Sequence, residues 1–236
     1  MAAEEETTAA ELQRLLEVQK AALRERGPPG VRERERRLDV MVQLLLANED
    51  ALVTAVTADF GVRPREVTRF ADVLMALEAF KAARAGVRSW CRPERRRVDF
   101  PFNVVGATNY VEYQPKGVVG VVAPWNYPIM LLLTPVASAF AAGDAVLLKP
   151  SELAPRTAAL IARLINGAYD ESIARVVLGG PRTSAALAAL PLDHLVFTGS
   201  TRVGKLVAAA CARNLTPTTL ELGGKCPVIV GRRADV

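Results

Sequence analysis

Four short segments place polar side chains where an apolar run stops, and each could do chemistry. The first is Pro124-Trp125-Asn126-Tyr127-Pro128, which ends the run Val118 to Ala123 and precedes the apolar stretch Met130 to Ala142. A carboxamide between a buried strand and a helix sits where open α/β sheets place their active sites, although it could simply cap the helix. The second, Lys149-Pro150-Ser151-Glu152, sets a cation and a carboxylate three residues apart. Such a carboxylate could accept hydrogen bonds from ribose hydroxyls, or it could belong to an ordinary solvated turn. The third, Phe197-Thr198-Gly199-Ser200-Thr201-Arg202-Val203-Gly204-Lys205, matches G-x-x-x-x-G-K and raises the reading of a P-loop NTPase. Leu206 stands where that motif needs a hydroxyl for magnesium, so what survives is a helix amino terminus suited to phosphate. The fourth is Glu221-Leu222-Gly223-Gly224-Lys225, where a carboxylate at a strand end could act as a base or lie in a surface turn.

The remaining reactive residues are few. Three cysteines (Cys91, Cys211, Cys226) are widely spaced and His194 is the single histidine, which excludes a disulfide scaffold and leaves too few ligands for a zinc site. No metal is expected. Cys91 and Cys211 fall in helical patterns and read as ordinary thiols.

The elements that position these residues follow from periodicity. Thr8 and Glu11 have capping-box spacing, with Leu12, Leu15, Leu16 and Leu23 behind them at helical intervals. Gly27-Pro28-Pro29-Gly30 stops that helix. A second begins near Val31, restarts at Asn48-Glu49-Asp50 to run over Ala51 to Asp59, and Gly61 and Pro64 turn the chain into a helix over Arg65 to Cys91. Asn103 to Gln114 reads as a partly exposed antiparallel strand or hairpin. Strands are then predicted at Val118–Ala123, Ala145–Lys149, Ile173–Leu178, His194–Thr198, Thr218–Leu222 and Val228–Val230. Helices are predicted between them at Pro128–Ala142, Pro155–Gly167, Pro181–Leu190 and Thr201–Arg213. This alternation predicts an α/β fold, a doubly wound parallel sheet preceded by a helical segment. The expected division is a helical part (1–92), an antiparallel arm (93–116) and a nucleotide-binding α/β unit (117–236).

Composition narrows the class further. With 236 residues, half of them hydrophobic and 23% charged, the chain can bury a large core. No apolar run is long enough for a membrane span, and the acidic amino terminus is unlike a secretory signal, so a reducing cytoplasm fits. The net charge of +5 gathers at Arg84, Arg88, Arg92, Arg95, Arg96 and Arg97 without a nucleic-acid-binding motif. Neither nucleic acid nor membrane is expected as a partner.

PWNYP at 124–128, LLKPSE at 147–152, FTGST at 197–201 and LELGGK at 220–225 resemble, in order and approximate spacing, the NAD(P)-dependent aldehyde dehydrogenase superfamily. From about Leu38 onward the chain is most similar to the coniferyl-aldehyde dehydrogenase branch. The resemblance implies oxidation of an aldehyde to an acid: a cysteine thiolate attacks, hydride leaves for the nicotinamide, and water hydrolyses the thioester. It implies that Asn126 donates to the oxyanion and that Glu221 is the general base. It further implies that Lys149 and Glu152 hold the adenosine ribose, that Gly199 and Ser200 meet the pyrophosphate, and that Trp125 lines the cofactor cleft. The missing G-x-G-x-x-G agrees with this variant of the dinucleotide fold. NAD is the expected cofactor, with NADP the alternative, and the arm implies a homodimer.

The family's nucleophilic cysteine lies a few tens of residues beyond its ELGGK glutamate, a position this sequence does not reach, and Cys226 follows Lys225 too closely to replace it. The expectation is therefore a truncated enzyme without its catalytic domain. It is inactive alone, and a dinucleotide-binding or subunit-interaction module is the alternative.

Overall fold

The computed structural model describes residues 6–235. Its amino-terminal segment is helical: α1 (Ala9–Arg26), α2 (Val31–Ala47) and α3 (Glu49–Phe60), then α4 (Arg65–Thr68), a π-helical stretch (Arg69–Leu74) and α5 (Met75–Trp90). The Thr8 hydroxyl accepts from the Glu11 N–H at 3.2 Å, one half of the expected capping box, while the Glu11 carboxylate accepts from Arg14 instead. The helix expected over 65–91 forms, but a π-helical turn interrupts it at Arg69–Leu74, a feature no apolar period announces.

Two strands follow, β1 (Glu94–Arg96) and β2 (Asn109–Val111), paired antiparallel with Arg95 opposite Tyr110. The strand expected from Asn103 is therefore shorter, because Phe102–Val105 form a 3₁₀ turn closed by Gly106 at φ +80°. The α/β unit alternates β3 (Val118–Val122), α6 (Met130–Ala142), β4 (Ala145–Lys149), α7 (Pro155–Ala168), β5 (Ala174–Val176), α8 (Pro181–Ala188), β6 (His194–Gly199), α9 (Thr201–Ala212) and β7 (Thr218–Leu222). Pro128 lies just ahead of α6 rather than in its first turn.

The five strands are parallel in the order β5-β4-β3-β6-β7. The chain winds outward from β3 through β4 and β5, then returns to β6 and β7 on the other side. This reversal makes the β3–β6 boundary the topological switch point. All five residues of β3 are buried, as its unbroken apolar run requires of a strand covered on both faces. Val119 and Val121 face one core with α2, α3, α5, α6 and α7. Val118 and Val122 face the other, with α1, α8 and α9.

Aspartates fasten the connections. Asp59 accepts from the backbone N–H groups of Arg156 and Thr157 at 3.0 and 2.8 Å and so caps α7 from the helical segment. At the amino edge of the sheet, Asp193 accepts from the Val118 N–H at 2.8 Å. Gly117 there has φ +133°, and a Cβ would lie 2.3 Å from the Asp193 carboxylate, so only glycine fits.

One predicted strand does not form. Val228, Ile229 and Val230 are 83%, 95% and 60% exposed and carry no regular structure. Among the described residues no strand pairs with the outer edge of β7, and an apolar triplet without a partner strand cannot close a ladder. The basic cluster is partly neutralised: Arg84 donates to Glu35 and Asp39 at 2.7 and 2.9 Å, and Arg88 donates to Glu35 at 2.6 Å. No single helix among the described residues is long and apolar enough to cross a membrane.

Candidate active site

The register brings the four polar segments to one edge. Val122 stands opposite Lys149 on one side and Phe197 on the other, and Phe197 stands opposite Leu220. Because every strand runs the same way, Asn126, Lys149, Glu152, Gly199, Ser200 and Glu221 all lie at the carboxyl edge, on both sides of the switch point. His194 begins β6 at the opposite edge, where Nε2 meets the Thr219 hydroxyl at 2.9 Å.

Asn126 does not cap α6. Its side chain is exposed and, among the described residues, has no hydrogen-bond partner. The cap comes instead from Asp72, whose Oδ1 accepts from the N–H groups of Ile129 and Met130 at 3.0 and 2.7 Å. The carboxamide is left free to donate. Trp125 beside it is half exposed and packs on Phe60, with ring centroids 5.7 Å apart.

Lys149 is 1% exposed, and its Nζ donates to Glu152 Oε2 at 2.6 Å. Burial alone would raise the Glu152 carboxyl, but the Lys149 ammonium outweighs it and holds the group below the usual carboxylate range. A buried ammonium and a half-exposed carboxylate thus form one rigid pair at the end of β4.

The strand-to-helix turn after β6 is short. Gly199 ends β6, and Ser200 caps α9 by accepting from the Val203 N–H at 3.3 Å. Lys205 is already inside α9. A P-loop needs several residues between strand and helix to wrap a phosphate, and one residue cannot do so. The NTPase reading is thereby excluded, while the helix start retains unpaired amides, since the first N–H groups of any helix lack an intrahelical carbonyl.

Glu221 lies on β7, an edge strand, opposite Thr198, and is exposed. The cysteines stay away from this cluster or outside regular structure. Arg34 Nη1 approaches Cys91 Sγ at 3.2 Å, and Cys211 is buried in α9 with burial pushing its thiol up. Cys226 is exposed beyond β7. Among the described residues no group of three or more His, Cys, Asp or Glu is placed to hold a metal.

A model of the aldehyde dehydrogenase family matches residues 1–236. The chain belongs to this family. A coniferyl aldehyde dehydrogenase from a Pseudomonas strain is 48% identical over 221 residues, 94% of this chain and 45% of the relative. The 4,4'-diaponeurosporen-aldehyde dehydrogenase of Staphylococcus aureus is 36% identical over 204 residues, 86% of this chain and 44% of its own. Among solved structures, substrate-bound AldH of Staphylococcus aureus superposes with a TM-score of 0.86 at 32% identity, covering 95% of this chain and 48% of that one. PnpE in complex with nicotinamide adenine dinucleotide gives 0.81 at 29% identity, covering 92% and 44%. The chain therefore spans a little under half the length of these aldehyde dehydrogenases.

Two residues that build the site were not apparent in the sequence. Arg63 donates to the Asn126 carbonyl at 2.6 Å, and Asp72 caps the helix that follows. Both come from the helical part, 63 and 57 residues away from their partners in the chain. Only an aspartate in the middle of a long helix, where it is a poor former, hinted at such a role.

Proposed function

We propose that residues 1–236 form the dinucleotide-binding and oxyanion-stabilising part of an NAD-dependent dehydrogenase that oxidises an aromatic aldehyde to its acid. The observation that carries this reading is the gathering of Asn126, Lys149, Glu152, Gly199, Ser200 and Glu221 at one sheet edge across the switch point. The similarity to coniferyl aldehyde dehydrogenases supports an aromatic substrate.

The residues suit a dinucleotide. Glu152 has one carboxylate oxygen engaged by Lys149 and offers the other to ribose hydroxyls. Gly199 and Ser200 lead into the amino terminus of α9, whose dipole favours a pyrophosphate. Trp125 walls the cleft beside Asn126. Bound NAD supplies the hydride acceptor. Asn126 donates through its free carboxamide to the oxygen that becomes negative during attack, and removing such a donor typically costs on the order of 10²–10³ in turnover. Glu221 takes the proton of the hydrolytic water. Residues 93–116 serve as the arm that joins a second subunit, with Phe102, Val104 and Val105 being 63%, 69% and 77% exposed.

Calorimetric titration of the polypeptide with both dinucleotides tests the assignment. NAD should bind more tightly than NADP, because the Glu152 carboxylate repels a phosphate on the adenosine ribose, and Glu152→Gln should narrow the ratio. Tighter NADP binding, or a ratio untouched by Glu152→Gln, overturns it.

A further inference from the structure

Asn126 is held from outside the α/β unit at two fixed points. Arg63 lies in the turn between α3 and α4 with its side chain 9% exposed. Its guanidinium sits 5.0 Å from the centroid of Phe60 and 4.6 Å from that of Tyr127, and Nη1 donates to the Asn126 backbone carbonyl at 2.6 Å. Three residues further on, the chain is held again. Asp72, fully buried, accepts from the backbone N–H groups of Ile129 and Met130. The two anchors face each other: Arg63 Nη2 and Asp72 Oδ2 are 3.7 Å apart, and neither atom has a hydrogen-bond partner among the described residues.

The exposed carboxamide has no hydrogen-bond partner among the described residues, and what the two anchors hold is the backbone from which it projects. Oxyanion stabilisation depends on donors that are already in place before charge develops. A loop free to reorient would spend part of that effect on ordering. We propose that Arg63 and Asp72 are positioning residues that fix the backbone carrying the Asn126 carboxamide, an inference that rests on reading Asn126 as the oxyanion donor. Arginine suits the first anchor because one planar group can lie against two rings while donating in its own plane. Lysine would keep the charge and lose the stacking. The π-helical turn suits the second anchor, since it places Asp72 where α6 begins; such turns often occur at functional sites.

The test follows the backbone amides of Asn126 and Tyr127 by ¹⁵N NMR in the 236-residue polypeptide. In the parent protein these amides should have order parameters of about 0.85, the value of rigid backbone. Arg63→Met should shift these amides and drop their order parameters below about 0.6, while the amides of Val119 to Val122 stay in place. Arg63→Lys should give a smaller loss in the same direction, and it serves as the readout should the methionine variant fail to fold. Asn126 resonances unmoved by the folded Arg63 variant overturn the inference and leave the oxyanion reading untouched, because no turnover is measured. The oxyanion reading fails separately, if Asn126→Ala of a complete dehydrogenase keeps full turnover.

Discussion

Substituting Asp72 gives the sharpest energetic prediction, because burial and charge pull its behaviour in opposite directions. Burial raises the Asp72 carboxyl from 3.8 to about 6; the N–H groups of Met130 and Ile129 and the Arg63 charge offset this only in part. Arg63 stands beyond hydrogen-bond reach at 3.7 Å. The first turn of α6 carries no acidic side chain, and none of its residues is charged. Arg69, on the same π-helical turn as Asp72, is turned to Asp50 at 2.8 Å. A folded value above the unfolded one means that the native state holds the extra proton between the two. Stability is then greatest below the unfolded value and falls as pH rises through about 6. The full difference is about 3 kcal/mol at 1.36 kcal/mol per pH unit. Asp72→Asn keeps an acceptor for both N–H groups and removes the titration. Urea unfolding from pH 4 to pH 7 should therefore show the parent losing about 2 kcal/mol relative to Asp72→Asn, the rest of the difference lying below pH 4. Asp72→Ala should cost about 3–5 kcal/mol, because two buried N–H groups and the Arg63 cation lose their partner. A parent that gains stability over Asp72→Asn as pH rises would refute the reasoning, since Arg63 attraction would then outweigh burial.

Gly120→Ala should cost about 1–3 kcal/mol in the same unfolding assay, since its Cβ would lie 2.7 Å from both Leu192 and Leu195; an unchanged midpoint would show that these leucines can move. Val104→Glu with Val105→Glu should shift the polypeptide toward monomer in sedimentation, without loss of helix by circular dichroism, and an unaltered association state would remove the arm from the account. The polypeptide should form no NADH with aliphatic or aromatic aldehydes, because neither Asn126 nor Glu221 can supply the covalent intermediate. Turnover that disappears on Cys226→Ser would make that exposed thiol the nucleophile.

Most of the α/β unit was legible because its strands are closed apolar runs. Val118 to Val122 lies between Gly117 and Pro124, and Thr218–Leu222 and Ala145–Lys149 were placed to the residue. Parallel order followed from alternation, and with it the shared edge of Asn126 and Glu221. Val228 to Val230 failed for the reason that strands differ from helices. A helix closes its own hydrogen bonds, whereas a strand depends on a neighbour that local composition cannot reveal. The Asn126 loop shows the same limit. Its residues suggested either a cap or a donor, and the choice was made by Asp72, whose only local signature is its place inside a helix. Arg63 was read as part of a turn, and only its place against Phe60 and Tyr127 gives it a role.

Asn126, Glu152, Gly199 and Ser200 make the carboxyl edge around the switch point the proposed dinucleotide site. Titrating NAD into the ¹⁵N-labelled polypeptide and mapping the perturbed amides tests it most directly. Shifts are expected at Trp125, Asn126, Glu152, Gly199, Ser200 and Thr201, with Gly117, Val118 and His194 at the amino edge unmoved. A folded polypeptide that shows no shifts at millimolar NAD, or shifts gathered at the amino edge, would contradict it.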